Sequence, residues 1–127
     1  MLQEEVNGPW QILVVCILLN RGKASTAREV LPELFRRWPT AVQMSGAEPD
    51  RVAEVILRCG FQNRRADLLV RMSCGYLAGE NIERLPGVGR YALDSLAIFV
   101  KGRTDVEPED LALRAYLDER RRGGQGR

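Results

Sequence analysis

Histidine is absent from the 127-residue chain, which removes Ser-His-Asp triads, Cys-His nucleophile pairs and any His-ligated zinc site from consideration. Lysine is nearly absent: of 19 basic residues only Lys23 and Lys101 are lysines. Cysteine is scarce as well. Cys16, Cys59 and Cys74 form no CxxC pair and no iron–sulfur ligand run. Each falls in an apolar helical segment and is expected as a small buried hydrophobe in a reduced, intracellular setting. Long hydrophobic runs are missing too. The longest, Ile12 to Leu19, has eight residues, against the roughly 20 that span a bilayer. No basic stretch precedes it, so neither a membrane span nor a targeting signal is expected. It reads as a buried core helix.

The chain is 45% apolar and 28% charged, enough to bury one core and stay in solution. A net charge of +2 is no electrostatic footprint for nucleic acid, so any such binding must rest on placed arginines and backbone donors. No run alternates with period two, and apolar residues recur at helical spacing throughout. Pro9 starts a central helix reaching about Arg21. A second runs from about Ser25 to Trp38, interrupted or kinked at Pro32 and closed by Pro39. Thr40 can cap a short helix through Met44. Pro49 to Cys59 forms a further helix with Val52, Val55, Ile56 and Cys59 on one face, ended by Gly60. The next extends from about Asn63 to Leu77 on the stripe Ala66, Leu69, Val70 and Leu77. After a turn at Asn81–Arg84, a helix from Arg90 to about Lys101 buries Leu93, Leu96, Ala97 and Val100. An extended crossover at Asp105–Pro108 leads to a last helix carrying Leu113, Tyr116 and Leu117. The reading is all-α and one domain.

Gly87 and Gly89 bracket Val88 in a tight turn that opens directly into the helix at Arg90. Glycines permit positive φ and close backbone approach, and the unpaired N–H groups of a helix start suit a phosphate. A G-x-G between helices is equally an ordinary αα-hairpin. Asp110, at the start of the last helix, is by spacing alone an N-cap.

Longer stretches carry more. Leu85-Pro86-Gly87-Val88-Gly89-Arg90-Tyr91 resembles the helix-hairpin-helix motif of the endonuclease III-like DNA glycosylase superfamily. That family sets a catalytic aspartate downstream of the motif, and Asp110 stands 19 residues after Tyr91. Pro108-Glu109-Asp110-Leu111-Ala112-Leu113-Arg114-Ala115-Tyr116 looks like the P-E-D-x-x-L-x-x-Y segment of the methyl-CpG-binding-domain-linked thymine glycosylase branch. Pro9-Trp10 leading to Leu18-Leu19-Asn20-Arg21 resembles its P-W…L-N-R segment, and Gly60-Phe61 leading to Arg65-Ala66 its G-L-x-x-x-R-A turn.

The resemblance implies an all-α helix-hairpin-helix glycosylase fold without an iron–sulfur cluster. Residues 1–121 would form the domain, and 122–127 a frayed, basic, glycine-rich tail. It implies excision of thymine or uracil mispaired with guanine. Asp110 would stabilise positive charge on the sugar and orient water, with Glu109 a second carboxylate beside it. Tyr91 stands where the glycosylase/lyases carry a nucleophilic lysine. Lys23 sits in an early loop and Lys101 at a helix end, so a monofunctional enzyme follows, with Tyr91 lining the base pocket or merely packing. Arg21 would fill the gap left by a flipped base and Phe61, with Gln62 beside it, would wedge the stack, although Arg21 also suits a solvated surface and Phe61 a helix staple. Asn20 would position the Arg21 loop by hydrogen bonds. Gly87, Val88, Gly89, Arg90, Arg64 and Arg65, with the Arg120–Arg122 run, would meet phosphates. Leu2 and Gln3 look like the segment that reads a flipped pyrimidine through a glutamine and adjacent backbone, although its spacing to Trp10 is one residue short.

Two departures stand out. Gly22 replaces the threonine that follows L-N-R, and Ala112 replaces a lysine after the aspartate. The resemblance further implies no protein-bound metal or cofactor beyond a monovalent cation at the hairpin. The partner would be double-stranded DNA with a mispaired base, met by a monomer in a nucleoid-associated, cytoplasmic setting. Rival readings are a glycosylase for an adenine mispair or an alkylated base, an abasic-site lyase, and a non-catalytic helix-hairpin-helix DNA-binding module.

Overall fold

The computed structural model describes residues 1–125, which contain no strand. Seven α-helices follow in order: α1 (Gly8–Leu19), α2 (Ala24–Arg37), α3 (Ala41–Ser45), α4 (Pro49–Val55), α5 (Gln62–Leu77), α6 (Arg90–Phe99) and α7 (Leu111–Gln125). Short 3-10 turns lie at Leu2–Glu5, Leu57–Cys59 and Ile82–Arg84. Among these residues no helix is long and apolar enough to cross a membrane.

α1 is the axis. Pro9 sits in its first turn, where a missing N–H costs nothing. Trp10 and every residue from Ile12 to Leu18 are buried, each apolar side chain contributing about 1.5–3 kcal/mol by leaving water. α2, α5 and α6 pack around it, and α3 and α4 lie on α5. Trp10 fixes α1 to α5 by donating Nε1–H to Ser73 Oγ at 2.8 Å, and its ring meets Phe35 of α2 at 5.9 Å.

Several sequence expectations change here. α2 is unbroken at Pro32. Pro32 is exposed, so the Arg28 carbonyl that loses its donor lies on the solvent side. Thr40 holds the N-cap position of α3, but its hydroxyl goes to the Gln43 side chain rather than to a backbone N–H. The helix expected over Pro49–Cys59 ends at Val55 and tightens into the 3-10 turn, which turns Leu57 outward and leads into Gly60 at φ +75°. The inward stripe of α5 is Ala66, Leu69, Met72 and Ser73, while Leu77 is exposed. In α6 the buried residues are Ala92, Ser95, Leu96 and Ile98, with Leu93 and Val100 at the surface. Ser95, polar by type, is fully buried, where it accepts a hydrogen bond from Gln3 Nε2, and shifts the face by one position. Of the cysteines, Cys16 alone is buried; Cys59 is partly covered and Cys74 is exposed.

α7 does not join the main core. Its Leu113 and Leu117 form a second, small cluster with Ile98, flanked by Phe99, Val106 and Tyr116. The Phe99 and Tyr116 rings meet at 4.9 Å, and Arg121 donates to the carbonyls of Thr104 and Val106 in the crossover. The helix continues through 122–125, where a frayed tail was expected. Residues 126–127 of that expected tail lie outside the described residues.

Candidate active site

The hairpin is built by one glycine that only glycine can fill. Gly87 has φ +77°, and a Cβ there would lie 3.0 Å from Ile17 Cγ1 on α1. Val88 packs partly buried against the main core, its N–H bonded to the Leu85 carbonyl at 3.1 Å. Gly89 is the N-cap of α6, and no side chain caps that helix. The first-turn N–H groups of α6 therefore face outward beside exposed Arg90.

Arg90 is engaged in three directions. It pairs with Glu109 at 2.7 Å and Asp94 at 3.6 Å, and donates to the Glu107 carbonyl at 2.5 Å. It thereby ties the start of α6 to the crossover that delivers Asp110. Glu109 is accordingly a surface ion-pair partner.

Between the hairpin, the Leu2–Glu5 turn and the Asn20–Gly22 loop lies a cleft of about 600 Å³. Asp110, Tyr91, Gln3, Leu2, Arg21 and Cys16 are among its lining residues. Asp110 Oδ2 accepts the Leu113 N–H at 3.0 Å, so the side chain caps α7 as the spacing anticipates. One carboxylate oxygen carries that cap, and the other has no hydrogen bond among the described residues. Gln3 is buried to 1% exposure. Its Nε2 donates to Tyr91 Oη at 2.7 Å and Ser95 Oγ at 3.3 Å. Its Oε1 is buried with no partner among the described residues, a costly state for an acceptor. Leu2, next to it, is in the core.

Electrostatics keep this wall uncharged. Burial pushes the Tyr91 phenol up to about 12 against the lowering hydrogen bond from Gln3, with Cys16 and Asp110 adding to the rise. Burial likewise pushes the Cys16 thiol up to about 11, with the Asp110 charge adding to the rise. Neither lysine lines the cleft. The chain's three cysteines fall short of the four thiolates an iron–sulfur cluster takes. Among the described residues no three His, Cys, Asp or Glu side chains converge as metal ligands.

The Asn20–Gly22 loop borders the cleft, and the Gly60–Phe61 loop is joined to it through Arg65. Arg21, at φ 59°, and Phe61, at φ 47°, are the non-glycine residues with left-handed backbone among those described. Such a conformation costs of order 1 kcal/mol or more. Phe61 is 68% exposed, and its ring carries no core contact that a helix staple would require. Gln62, partly buried, opens α5, and Arg64 is exposed. Arg65 corrects the expectation of a phosphate contact: it is 4% exposed and turned inward onto backbone carbonyls. Asn20 also differs, because the loop is held through its main-chain carbonyl rather than its side chain. Of the basic run, Arg121 is occupied by the crossover and Arg120 lies over the Tyr116 ring at 5.8 Å.

Sequence reasoning missed Cys16 and Arg28 as cleft residues, and Ser95 as the buried partner of Gln3. Ser95 stands four residues after Tyr91 and so shares its helix face, a usable signal. Arg28 at the rim is fixed by a pair with Glu5 at 2.7 Å, which links α2 to the turn carrying Gln3. Nothing in the local sequence points to that pair.

No family model matches the chain. Over 122 residues it is 34% identical to a methyl-CpG-binding domain protein 4-like protein of Arabidopsis thaliana, covering 93% of this chain and 27% of that protein. It is 26% identical over 106 residues to a thymine/uracil-DNA glycosylase of Pyrobaculum aerophilum, covering 76% of this chain and 46% of the relative. An adenine DNA glycosylase of Mycobacterium tuberculosis is 29% identical over 99 residues, covering 72% and 33%. The chain thus spans about a quarter to a half of the length of these relatives. Among solved structures, a thermostable thymine-DNA glycosylase superposes with a TM-score of 0.73 at 22% identity, over 82% of this chain and 52% of that one. A trapped endonuclease III–DNA covalent intermediate does so at 0.74 and 16% identity, over 84% and 54%.

Proposed function

The chain is by sequence and fold a member of the helix-hairpin-helix, endonuclease III-like DNA glycosylase superfamily, and from that premise we propose that it is a monofunctional DNA glycosylase. Its substrates on this reading are thymine or uracil mispaired with guanine in double-stranded DNA, and it works as a monomer without a cofactor of its own. One observation carries the proposal. Gln3, whose Oε1 is buried without a partner among the described residues, and Asp110 line the same cleft, together with the hairpin glycines and exposed Arg21.

The steps follow from that arrangement. The α6 amides at the hairpin receive a backbone phosphate. The target base leaves the stack at a cost of a few kcal/mol, least at a mispair, and Arg21 and Phe61 occupy the space it vacates. A monovalent cation at the hairpin would add to the phosphate's attraction. In the cleft Gln3 Oε1 accepts the N3–H of a pyrimidine imide. Cytosine lacks that hydrogen, so the same atom selects thymine and uracil against it. As the glycosidic bond lengthens, positive charge grows on C1′. The Asp110 carboxylate stabilises it and orients the water that completes hydrolysis. Tyr91 stays protonated beside it and supplies no amine, which favours release of an intact abasic site over strand cleavage.

Single-turnover excision on G·T, G·U and A·U duplexes, read after alkali cleavage, tests this. Base release from G·T and G·U, with alkali required to break the strand, is the expected result. Release of adenine or an alkylated base in place of these pyrimidines would replace the substrate assignment, and binding with no base release would make the chain a DNA-binding module. A covalent adduct trapped by borohydride would refute the monofunctional assignment.

A further inference from the structure

Arg65 is a charged side chain placed where no charge is needed for folding a helix. It sits in the first turn of α5, is 4% exposed, and has no carboxylate partner among the described residues. Its guanidinium is satisfied instead by three main-chain carbonyls. Nη1 donates to Cys59 and, at 2.9 Å, to Gly60; Nη2 donates to Asn20 at 2.6 Å. These carbonyls belong to two loops far apart in sequence, and each loop continues directly into a left-handed residue: Asn20 into Arg21, Gly60 into Phe61. The planar fork of arginine reaches both loops at once, which a lysine's point donor cannot do with the same geometry. The guanidinium carbon also lies 5.7 Å from the Phe61 ring centroid.

Gly22 closes the other side. A Cβ there would overlap the Leu18 carbonyl oxygen and lie 3.2 Å from Arg65 Nη2. The glycine that departs from the family's threonine is therefore the residue that leaves room for the guanidinium in this chain.

We propose that Arg65 is a positioning residue that locks the Arg21 and Phe61 loops into one rigid two-pronged element, so that both side chains enter a DNA stack together. This deepens the glycosylase reading and rests on its assignment of that face to DNA. Insertion is then cooperative: either loop, once seated, carries the other through the shared guanidinium.

The test uses binding, which needs no bond cleavage. The probes are an undamaged duplex and one carrying a tetrahydrofuran abasic analogue opposite guanine, with 2-aminopurine beside the analogue to report insertion. The protein variants are Arg65→Gln, Arg65→Lys, Arg21→Ala, Phe61→Ala and the Arg21→Ala/Phe61→Ala double variant. Arg65→Gln is expected to lose about 10- to 100-fold in affinity for the abasic duplex, together with the 2-aminopurine signal, and less than about threefold for the undamaged duplex. Placed in the double variant, the same change is expected to cost less than about threefold on either probe. Should Arg65→Gln fail to fold, Arg65→Lys decides the matter by a smaller loss confined to the abasic duplex. Equal losses on both duplexes, wild-type affinity for the abasic one, or an undiminished loss in the double variant would overturn the proposal. Wild-type protein that binds the abasic duplex selectively yet releases no base would defeat the glycosylase reading alone.

Discussion

Asp110 is asked to do two things, and two substitutions separate them. Its Oδ2 accepts the Leu113 N–H at 3.0 Å as the N-cap of α7. Asparagine offers an equivalent oxygen at that position, so Asp110→Asn keeps the cap and its stability cost is a few tenths of a kcal/mol. Asp110→Ala removes the acceptor, which costs about 1 kcal/mol and lowers Tm by roughly 4 °C in a domain of this size. Catalysis divides differently, because charge on the carboxylate matters and capping geometry does not. Losing one preorganised electrostatic or acid–base group lowers a rate by about 10²- to 10⁴-fold. Both variants should therefore lose base excision to that extent, measured by single-turnover release from a G·U duplex, while only the alanine variant melts earlier. Abasic-duplex binding should survive in both. If Asp110→Asn excised at a rate near wild type, or if activity tracked Tm across the pair, the carboxylate would be a cap and nothing more.

Replacing Gln3 with Met removes the orphaned Oε1 but also the Nε2 hydrogen bonds to Tyr91 and Ser95, so the two effects offset and Tm should stay within about 4 °C of wild type, corresponding to about 1 kcal/mol, while pyrimidine release falls at least tenfold; a larger fall in Tm together with retained activity would contradict both halves. The folded chain holds the Tyr91 phenolic proton up to about pH 12, whereas the unfolded chain loses it near pH 10. Its stabilising contribution is therefore whole below pH 10 and declines as pH rises to about 12. Ultraviolet titration at the tyrosinate band should show a high-pH step that Tyr91→Phe abolishes, and a Tyr91→Phe melting profile flatter over that pH range. With a disulfide reagent under native conditions, exposed Cys74 should react first, and Cys16, buried and pushed up to about 11, only after unfolding; rapid labelling of Cys16 would mean the cleft opens to its floor.

The helices and the cleft differ in how well the sequence announces them. α1 is legible because Pro9 suits a helix start and an eight-residue apolar run follows it, and the hairpin because Gly87-Val88-Gly89 opens directly into the helix at Arg90. Asp110, Tyr91 and Gln3 are named by resemblance, and the fold then gathers them along one cleft. What the sequence hides is pairing across distance. Arg65 reads as one more surface arginine until the chain folds its guanidinium onto Asn20, 45 residues away. Leu77, Leu93 and Val100 fit helical stripes yet face outward, since periodicity marks a face without saying which of two neighbouring faces the core takes. Cys74 is exposed for the same reason. Pro32 shows the converse, a residue that signals a break and is absorbed because the Arg28 carbonyl it leaves unpaired lies on the exposed side of α2.

The separate docking of α7 has a consequence for how such an enzyme would fail. Gln3 and the hairpin stand on the main core and Tyr91 packs against both clusters, whereas Asp110 is borne by a helix whose buried anchors are Leu113 and Leu117 against Ile98. The competent fraction of molecules is then a product of two equilibria, one for the body and one for the attachment of its last helix. A mutation that loosens the contact of Leu113 and Leu117 with Ile98 would take the carboxylate out of reach before the body unfolds, in a protein that still holds damaged DNA.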